Sequence, residues 1–544
     1  VVEPALVAAA RDNYLVAVAF ARHGSGRSRA ASIGLAYVEA TSGAFACTEW
    51  PTARAEDEFG DELRRLAPGE VLMADSVRAT QSEHAPDSIT VTSWAGVTPV
   101  TWCPDHYFDE ESAHTRLRRH FGVPSLAPFG CERAYLAATA AGAILAYLDR
   151  VNPALARLMS GLRYYDTGDF VQIDPRTWHA LEALEGAGQT AWHGNTSGRS
   201  ASLLSILDAT RTAMGARLLR RLLLLPLKDR QVLEERLDAV AELHAHAWLR
   251  ESLAATLDGQ GDLERLTGRV VHGTATPREL HALARGLERA AELTAALRSV
   301  EAPALQRLRS SLDACPEATE LVCRAVEDPH DMSQRTIRLG YDGELDTLVA
   351  STAHARAWIA ALEATERERT GIKSLKVGFN KVFGYYLEVT RPNLARIPQD
   401  YQRRQTTATG ERYVTAELKE QEALVMHAEE QIDARQRTVY ADLLGTLAGY
   451  QGCLRATAAA FAQADVWLAL ATVALARAYV RPELTDSTAL EIVAGRHPIV
   501  EATLDGAEFV ANDLSLDDLE PGAGGARLLL LTGPNMAGKS TYLR

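Results

Sequence analysis

The spacing of apolar positions changes along the chain and divides it into segments. Within the first 130 residues, NYLVAVAF (13–20) and SIGLAYVEATSGAFACTEW (32–50) alternate or run apolar in the β-branched, aromatic manner of strands. EDEFGDELRRL (56–66) has helical spacing, and GEVLMAD (69–75) is typical of a returning strand. This part of the chain is therefore predicted to be mixed α/β.

From about residue 136 the pattern becomes helical, beginning in AYLAATAAGAILAYLDRV (134–151). A polar, glycine-rich stretch at 186–202 interrupts it and is predicted to be a loop. Helical spacing resumes in LLSILDATRTAMGARLLRRLLLL (203–225), which Pro226 ends, and continues to about residue 300. These segments predict a helical domain.

The middle of the chain predicts two long helices with strands between them. Apolar residues recur at three- and four-residue steps over 345–362, and Thr370–Gly371 is expected to end that helix. KSLKVGFNKVFGYYLEVTRP (373–392) has strand composition. A helix follows from about residue 413, with a seven-residue apolar seam at Leu418, Val425, Ile432 and Val439. The prediction is an antiparallel helical arm with a small β insertion at its tip.

Length and composition are those of a multidomain globular protein. The 544 residues suffice for about three or four domains of ordinary size, with 47% apolar and 24% charged residues. No run of 18 or more apolar residues occurs, so no membrane span is expected, and the N-terminus lacks the pattern of a signal peptide.

The six cysteines are scattered and form no CxxC pair. At this chain length and spacing we expect free thiols in a reducing cytosol rather than disulfides, and zinc binding is not supported. They are Cys47, Cys103, Cys131, Cys315, Cys323 and Cys453.

The clearest chemical motif is GPNMAGKS (533–540), which fits the phosphate-loop pattern GxxxxGK[ST]. Gly533 and Gly538 allow the backbone to curl so that successive N–H groups point at a phosphate. The apolar stretch LLLLT (528–532) before it is predicted to be the buried strand that such a loop follows. The motif predicts binding of a nucleoside triphosphate.

The side chains at the end of the loop have separate expected roles. Lys539 would reach the β- and γ-phosphates, Ser540 would supply a hydroxyl ligand for Mg²⁺, and Thr541 would add a further phosphate contact.

Two residues near the motif are expected from the sequence alone to have structural rather than chemical roles. His497, before a proline in GRHPIVE, is expected to be a structural hydrogen-bonding residue, and Phe509 in EFVANDL is expected to be a core residue.

The β insertion is basic although the chain has a formal net charge of −14. Residues 371–415 contain eight Lys and Arg residues against three Asp and Glu residues. Such a tip suits contact with nucleic-acid phosphates without sequence preference, and the alternative is a solvated sheet whose charges protect its edges. The candidate DNA contacts are Lys376, Lys381, Arg391, Arg403, Arg404 and Arg412.

Taken together, these motifs resemble the MutS family of DNA mismatch repair proteins. The resemblance runs in the same order along nearly the whole chain, and the Pro-Asn-Met inside the phosphate loop is its most specific part. The stretches that carry it are SLLSILDATRTAMGARLL (202–219), LKVGFNKVFGYYLEVTRP (375–392), ERYVTAELKEQE (411–422), AGRHPIVE (494–501), FVANDLSL (509–516) and TGPNMAGKSTYLR (532–544).

The resemblance implies a mainly α protein with α/β parts. It would comprise an α/β connector domain (1–135) and a helical lever domain (136–345 and 445–480). A long antiparallel coiled arm would carry a β clamp (346–444), and a P-loop ATPase domain of ABC type would begin at 481 and reach just beyond the Walker A loop by 544.

The resemblance also implies functional roles. The ATP-binding residues would be Phe509, stacking on adenine, and Gly533, Pro534, Asn535, Met536, Ala537, Gly538, Lys539, Ser540 and Thr541, with Lys539 catalytic and Ser540 binding Mg²⁺. The clamp would grip the DNA backbone, and a homodimer would enclose mismatched duplex. ATP would convert it to a sliding clamp that recruits a MutL-type partner. The expected location is the bacterial cytoplasm, at the nucleoid, without membrane association.

Two departures from the family pattern limit what this chain is expected to do. The family's mismatch-reading domain, with its Phe-x-Glu, would precede residue 1, and we interpret Phe108-Asp109-Glu110 as a chance match. The Walker B, signature and dimer-forming parts of the ATPase domain would follow residue 544. We therefore expect an internal fragment that by itself neither reads a mismatch nor hydrolyses ATP.

Two other hypotheses remain open from the sequence. A family member that natively lacks the mismatch domain would act as a structural clamp on DNA junctions. A coiled-coil P-loop protein of chromosome structure would need heptads far longer than the four seam positions found here.

Overall fold

The structure is a computed structural model that describes residues 12–23, 30–50, 55–79, 98–184, 202–328, 335–380, 384–504, 509–517, 528–534, 538–539 and 542. The chain forms two compact units. The first unit comprises Val1–Ala275, Ala282–Thr319 and Ala448–Arg544, and the second comprises Thr276–His281 and Glu320–Leu447.

Strands and helices are numbered here in chain order. The strands are β1 (Tyr14–His23), β2 (Ala30–Glu39), β3 (Phe45–Trp50), β4 (Glu70–Ala74), β5 (Val100–Cys103), β6 (Arg163–Tyr164), β7 (Lys376–Asn380), β8 (Gly384–Thr390), β9 (Gln402–Thr406), β10 (Gly410–Val414), β11 (Leu490–Gly495) and β12 (Asn512–Leu516). The helices are α1 (Ala55–Leu66), α2 (Asp75–Ala79), α3 (Glu110–Phe121), α4 (Tyr135–Val151), α5 (Pro153–Leu158), α6 (Pro175–Ala180), α7 (Leu203–Leu207), α8 (Ala213–Leu224), α9 (Arg230–Ala245), α10 (Ala247–Leu257), α11 (Leu263–Val271), α12 (Pro277–Ala296), α13 (Pro303–Ser311), α14 (Pro316–Ala325), α15 (Gly343–Thr370), α16 (Ala416–Ala448), α17 (Gln451–Arg477) and α18 (Pro498–Thr503).

The first unit contains a mixed sheet with strand order β5-β4-β1-β2-β3-β6. β1, β2 and β3 pair antiparallel, whereas β4 pairs parallel to β1, β5 parallel to β4, and β6 parallel to β3. A turn at Gly43, whose φ is 69°, joins β2 to β3. The strands and the helix predicted for the N-terminal α/β part are confirmed.

Both faces of this sheet are buried, because alternate residues of each strand point to opposite sides. Val16 and Val18 pack towards α1, whereas Leu15 and Ala17 pack towards α3 and α4. Helix α4, which we assigned mostly to the lever, covers this second face. It approaches β2 so closely that a Cβ atom on Gly34 would lie 2.2 Å from the carbonyl carbon of Leu136.

Helix α17 lies in the middle of the helical part of the first unit, packed against α8, α9, α10, α11 and α13. By length and composition it could cross a membrane, with a mean hydropathy of 1.6 over its most apolar window. Within the protein, 67% of that window is buried. Packing inside the helical core accounts for its apolar sequence.

A carboxylate, Asp465, is completely buried in α17. It accepts hydrogen bonds from the backbone N–H groups of Arg211 (2.9 Å) and Thr212 (2.8 Å) and from the Thr212 hydroxyl (2.7 Å). The Thr212 hydroxyl in turn accepts from the N–H of Gly215 and caps α8. Burial raises the pKa of Asp465, while these donors act against that rise.

Two arginines of α8, two and six residues after Gly215, form a cluster of ion pairs. Arg217 is 1% exposed and donates to Asp262 (2.8 Å) and Glu264 (2.6 Å), which lie at the start of α11. Arg221 lies 3.4 Å from Asp12, just before β1. Because each charge has a partner, the cluster joins the start of the sheet to the helical core without leaving an unpaired buried ion.

The expectation of free thiols is wrong for two of the six cysteines. Cys315 and Cys453 form a disulfide, with their Cα atoms 6.4 Å apart. Folding places the loop before α14 against the start of α17. The two cysteines are 138 residues apart in sequence, so their spacing gave no sign of this contact. Cys47, Cys103 and Cys131 are free and buried, and Cys323 is free and exposed.

The second unit contains the long helices α15 and α16 and a four-stranded antiparallel sheet with strand order β7-β8-β10-β9. As predicted, α15 ends at Gly371, whose φ is 67°. The predicted seam of α16 faces inward, since Leu418, Val425 and Val439 are buried and Ile432 packs against the same apolar clusters.

Charged pairs show that α15 and α16 run antiparallel. Near the start of α15, both carboxylate oxygens of Asp342 accept from Arg435, at 2.9 and 2.7 Å. Halfway along α15, Arg356 pairs with Glu429, which lies earlier in α16. Asp342 also caps α15 by accepting from the N–H of Leu345 at 2.8 Å.

Asp342 makes a pH-dependent contribution to the order of this helix pair. Hydrogen bonds from Arg435 and Leu345 lower its pKa below the ordinary value. Because the pKa is lower in the folded state, the stabilisation is present above the unfolded value of about 3.9 and disappears as the pH falls through the folded value.

We expect Asp342→Ala to increase opening of the first turns of α15 by about 1 kcal/mol at pH 7, because the cap and the ion pair are both removed. Asp342→Asn keeps the cap and should cost less. Amide hydrogen exchange of residues 343–350 would measure both effects, with Glu344→Gln as the control, because Glu344 binds Arg435 but caps nothing. An unchanged difference between wild type and Asp342→Asn below pH 3 would contradict the assignment.

Candidate functional sites

The stretch GRHPIVE connects the end of α17 to the region of the phosphate loop. His497 accepts a hydrogen bond from the N–H of Val500 at 3.3 Å and caps α18, which confirms the structural role expected for it. Arg496, which the sequence did not single out, donates to the carbonyl oxygens of Arg477 (2.8 Å) and Ala478 (3.1 Å). It thereby satisfies carbonyl groups at the C-terminal end of α17.

Strands β11 and β12 form an antiparallel pair beside this connection. Asp513 of β12 accepts from the N–H of Ala494 through its side chain (2.7 Å) and from the Tyr542 hydroxyl through its backbone carbonyl (3.0 Å). The N–H of Tyr542 donates to the carbonyl of Gly538 at 3.0 Å, which is a helical i→i+4 bond. Tyr542 therefore ties the residues after the phosphate loop to β12.

The two ends of the phosphate loop lie close together. Gly538 has a φ of 82°, a conformation that favours glycine, and the Lys539 ammonium donates to the carbonyl oxygen of Gly533. The Lys539 side chain thus reaches back to the first residue of the motif. Asn535, Met536, Ala537, Ser540 and Thr541 lie outside the described residues.

The predicted strand before the loop is not formed. Residues 528–534 have no strand assignment, and Leu528 and Leu530 are 85% and 84% exposed. No strand within the described ranges pairs with this stretch, so its backbone groups have no ladder of hydrogen bonds to hold it extended. The LLLLT prediction is therefore wrong for this structure.

Phe509 and the phosphate loop line the same cleft. This cleft has a volume of about 500 Å³, and its lining residues include Phe509, Gly533, Gly538, Lys539 and Tyr542. Phe509 is half-buried there rather than enclosed in a core, contrary to its plain interpretation from the sequence. The volume is in the range of small-molecule sites, and an aromatic side chain, a glycine bend and a lysine suit a base, a phosphate chain and its charge. The residues fit a nucleotide.

The four-stranded sheet of the second unit carries a row of polar side chains across its strands. Strand register places Lys376, Glu388, Arg412 and Gln405 opposite one another. Arg412 donates to Glu388 (3.3 Å) and Gln405 (2.9 Å), and its guanidinium lies 4.2 Å from the ring centre of Tyr386. Arg412 is therefore half-buried and engaged within the sheet.

The other candidate DNA contacts are more accessible. Lys376, Arg391 and Arg404 are exposed and form no ion pair with any residue that the structure describes. Arg403 lies 3.3 Å from Glu411 but is 63% exposed, and Lys381 lies outside the described residues. The tip thus presents cations to solvent, as a phosphate-binding surface requires.

The Phe108-Asp109-Glu110 match has a structural explanation. Phe108 packs against the core of the six-stranded sheet. The Asp109 carboxylate accepts from the N–H of Ser112 at 3.0 Å and caps α3. These contacts support the interpretation of this match as coincidence.

Comparison with known proteins agrees with this architecture. The family model for MutS domain II matches residues 13–159, and that for MutS domain III matches residues 176–471. The proteins named DNA mismatch repair protein MutS from Symbiobacterium thermophilum and Dehalococcoides mccartyi (strain CBDB1) are 39% and 36% identical over all of this chain. The protein of that name from Myxococcus xanthus is 40% identical over 94% of it.

The chain spans only part of these relatives, covering 59%, 60% and 56% of their respective lengths. The domain III match includes more than half of the chain and extends from the helical core through both long helices and the four-stranded sheet to α17. The chain therefore belongs to the MutS family.

Proposed function

We propose that this chain is the central part of an ATP-dependent DNA mismatch repair protein. The observation that carries the proposal is the shared cleft, in which Phe509 and Lys539 line one volume together with the glycines of the phosphate loop. The relatives are named as DNA mismatch repair proteins, which indicates the process. The cleft suits nucleotide binding, and the basic tip suits contact with DNA phosphates.

At the cleft, each residue would contact a different part of ATP. Phe509 would stack on the adenine, the backbone around Gly533 and Gly538 would surround the phosphates, and Lys539 would move from the Gly533 carbonyl to the β- and γ-phosphates. Ser540 would hold Mg²⁺, which neutralises charge on the phosphates when bound. In the whole protein the activity would be DNA-dependent ATP hydrolysis, with Lys539 as a catalytic residue.

At the clamp, exposed cations would contact the DNA backbone without reading sequence. Lys376, Arg391, Arg403 and Arg404 are the candidates within the described residues, and Lys381 is a further one by sequence. Arg412 would act mainly by holding Tyr386 and Glu388 in place on the sheet. Such contacts bind matched and mismatched duplex alike, because phosphates carry no sequence information.

An effect of nucleotide binding in the cleft on the clamp would begin at Arg496. This residue contacts the last carbonyls of α17, while Tyr542 and Asp513 connect the residues after the phosphate loop to the neighbouring strand. Nucleotide binding that displaces Lys539 from Gly533 would thus act on β12 and on the other elements next to the end of α17. In the whole protein, we propose a homodimer around mismatched duplex that ATP converts to a sliding clamp recruiting a MutL-type partner, in the cytoplasm at the nucleoid.

Removal of the loop lysine tests the nucleotide role. In the whole protein, Lys539→Ala should reduce ATP turnover by at least about 100-fold, because charge on the transferred phosphoryl group would have no cationic partner. DNA binding without ATP should stay near wild type. The matched control is Lys228→Ala, since Lys228 is an exposed lysine that binds only the carbonyl of Gly168 among the described residues. Hydrolysis within a few-fold of wild type would contradict the role of Lys539.

Charge removal at the clamp tests the DNA role. Replacing Lys376, Lys381, Arg403 and Arg404 with Ala should weaken binding to matched and mismatched duplex equally. It should also reduce the slope of log affinity against log salt by about 0.9 for each DNA phosphate that the variant no longer neutralises. Arg356→Ala, which removes an exposed arginine of α15, should leave the slope unchanged. Weaker binding confined to mismatched DNA would rule out backbone contact as the clamp's function.

A further inference from the structure

We propose that the disulfide between Cys315 and Cys453 is a reversible redox link that fixes the chain where it leaves the first unit and where it returns. Cys315 lies shortly before Thr319, the last residue of the first unit on the outward path. Cys453 lies shortly after Ala448, the first residue on the return path. The bond therefore closes a loop that contains all of Glu320–Leu447.

Hydrogen bonds hold the same two segments together without involving sulfur. Thr457, one turn after Cys453, donates from its hydroxyl to the carbonyl of Asp313 at 2.7 Å and accepts from the N–H of Asp313 at 3.2 Å. The Asp313 carboxylate accepts from the N–H of Cys315 at 2.8 Å. After reduction these bonds would keep the two sulfurs near each other, so that the disulfide can form again at high effective concentration.

The backbone at Cys315 is held in an unfavourable conformation. Its φ is 40°, in the left-handed region that residues with side chains rarely adopt, and the next residue is Pro316. Such a conformation persists only where the surroundings impose it. The disulfide and the hydrogen bond from the Cys315 N–H to Asp313 both hold this residue, so we expect reduction to loosen the segment around Cys315.

The two cysteines differ in exposure, so thiol–disulfide exchange would begin at the more exposed one. Cys315 is 1% exposed, whereas Cys453 is partly exposed. A thiolate from solvent would attack the Cys453 sulfur, the Cys315–Cys453 bond would break, and Cys315 would leave as a thiolate. A second thiol would then release the mixed disulfide at Cys453. In the reverse direction, a low-molecular-weight disulfide accepts the two electrons and is converted to two thiols.

A metal site is the alternative use of these side chains. The Asp313 carboxylate lies within 4.8 Å of both sulfurs, so reduced Cys315 and Cys453 could contribute to a three-ligand site. The sulfurs in this structure are bonded to each other and cannot act as thiolate ligands. The two possibilities differ in metal content and in thiol count.

The test uses the full chain, purified without reductant and equilibrated with oxidised glutathione. Alkylation in denaturant followed by mass spectrometry should find four free thiols and a Cys315–Cys453 linked peptide, and all six thiols after reduction. Reduction should speed hydrogen exchange of amides in 312–319 and 448–457 by at least tenfold and leave β2 unchanged. Cys453→Ser should show the fast exchange without reductant.

Two variants make the test specific. Cys323→Ser removes a free, exposed cysteine of α14 and should keep the full redox dependence. Thr457→Val should slow re-formation of the disulfide several-fold, because the segments are no longer held together. Six free thiols after oxidation, stoichiometric zinc in the purified chain, or identical exchange before and after reduction would each overturn the proposal. If Cys453→Ser fails to fold, the comparison of oxidised and reduced wild type still decides.

Discussion

The helical core of this protein depends on one buried carboxylate. Asp465 is surrounded by apolar residues of α17 and would be costly to bury without partners. It is satisfied by the loop at Arg211 and Thr212, and that loop sets the start of α8. The fit is close, since a Cβ atom on Gly215 would lie 2.2 Å from an Asp465 oxygen. The position of α8 then brings Arg217 and Arg221 to their half-buried acidic partners.

Helix α17 is packed on its sides against five other helices, and specific residues contact each of its ends. At its start, Cys453 and Thr457 hold the loop that precedes α14. At its end, Arg496 binds the last carbonyl groups and connects them to α18 and to the paired strands next to the cleft lined by Phe509 and Lys539. A largely buried helix with contacts at both ends is suited to transmit a displacement, because close-packed interiors deform little. Under the proposed function, α17 would carry the effect of nucleotide binding through the first unit.

Periodicity predicted the elements whose formation depends on local patterns. β1, β2, α1, α15 and the inward seam of α16 all follow from alternation or helical spacing. Contacts between distant segments had no such signal. In the sequence Asp465 is a lone acid in an apolar helix, and nothing marks Arg496 beside His497. The Cys315–Cys453 pair is separated by 138 residues. The loop motif was recognisable from its spacing. LLLLT has the composition of a strand, but no strand among the described residues pairs with it, so it does not form one.

The most direct test of the account is the lifetime of the whole protein on mismatched duplex, measured with and without ATP in wild type and in Arg496→Ala. Wild type should show two clearly different lifetimes. Arg496→Ala should bind ATP and DNA but show a much smaller difference between the two lifetimes, because the hydrogen bonds from Arg496 to the end of α17 are lost. Equal lifetimes for the empty and ATP-bound wild-type protein would contradict the central claim that nucleotide occupancy controls the grip on DNA.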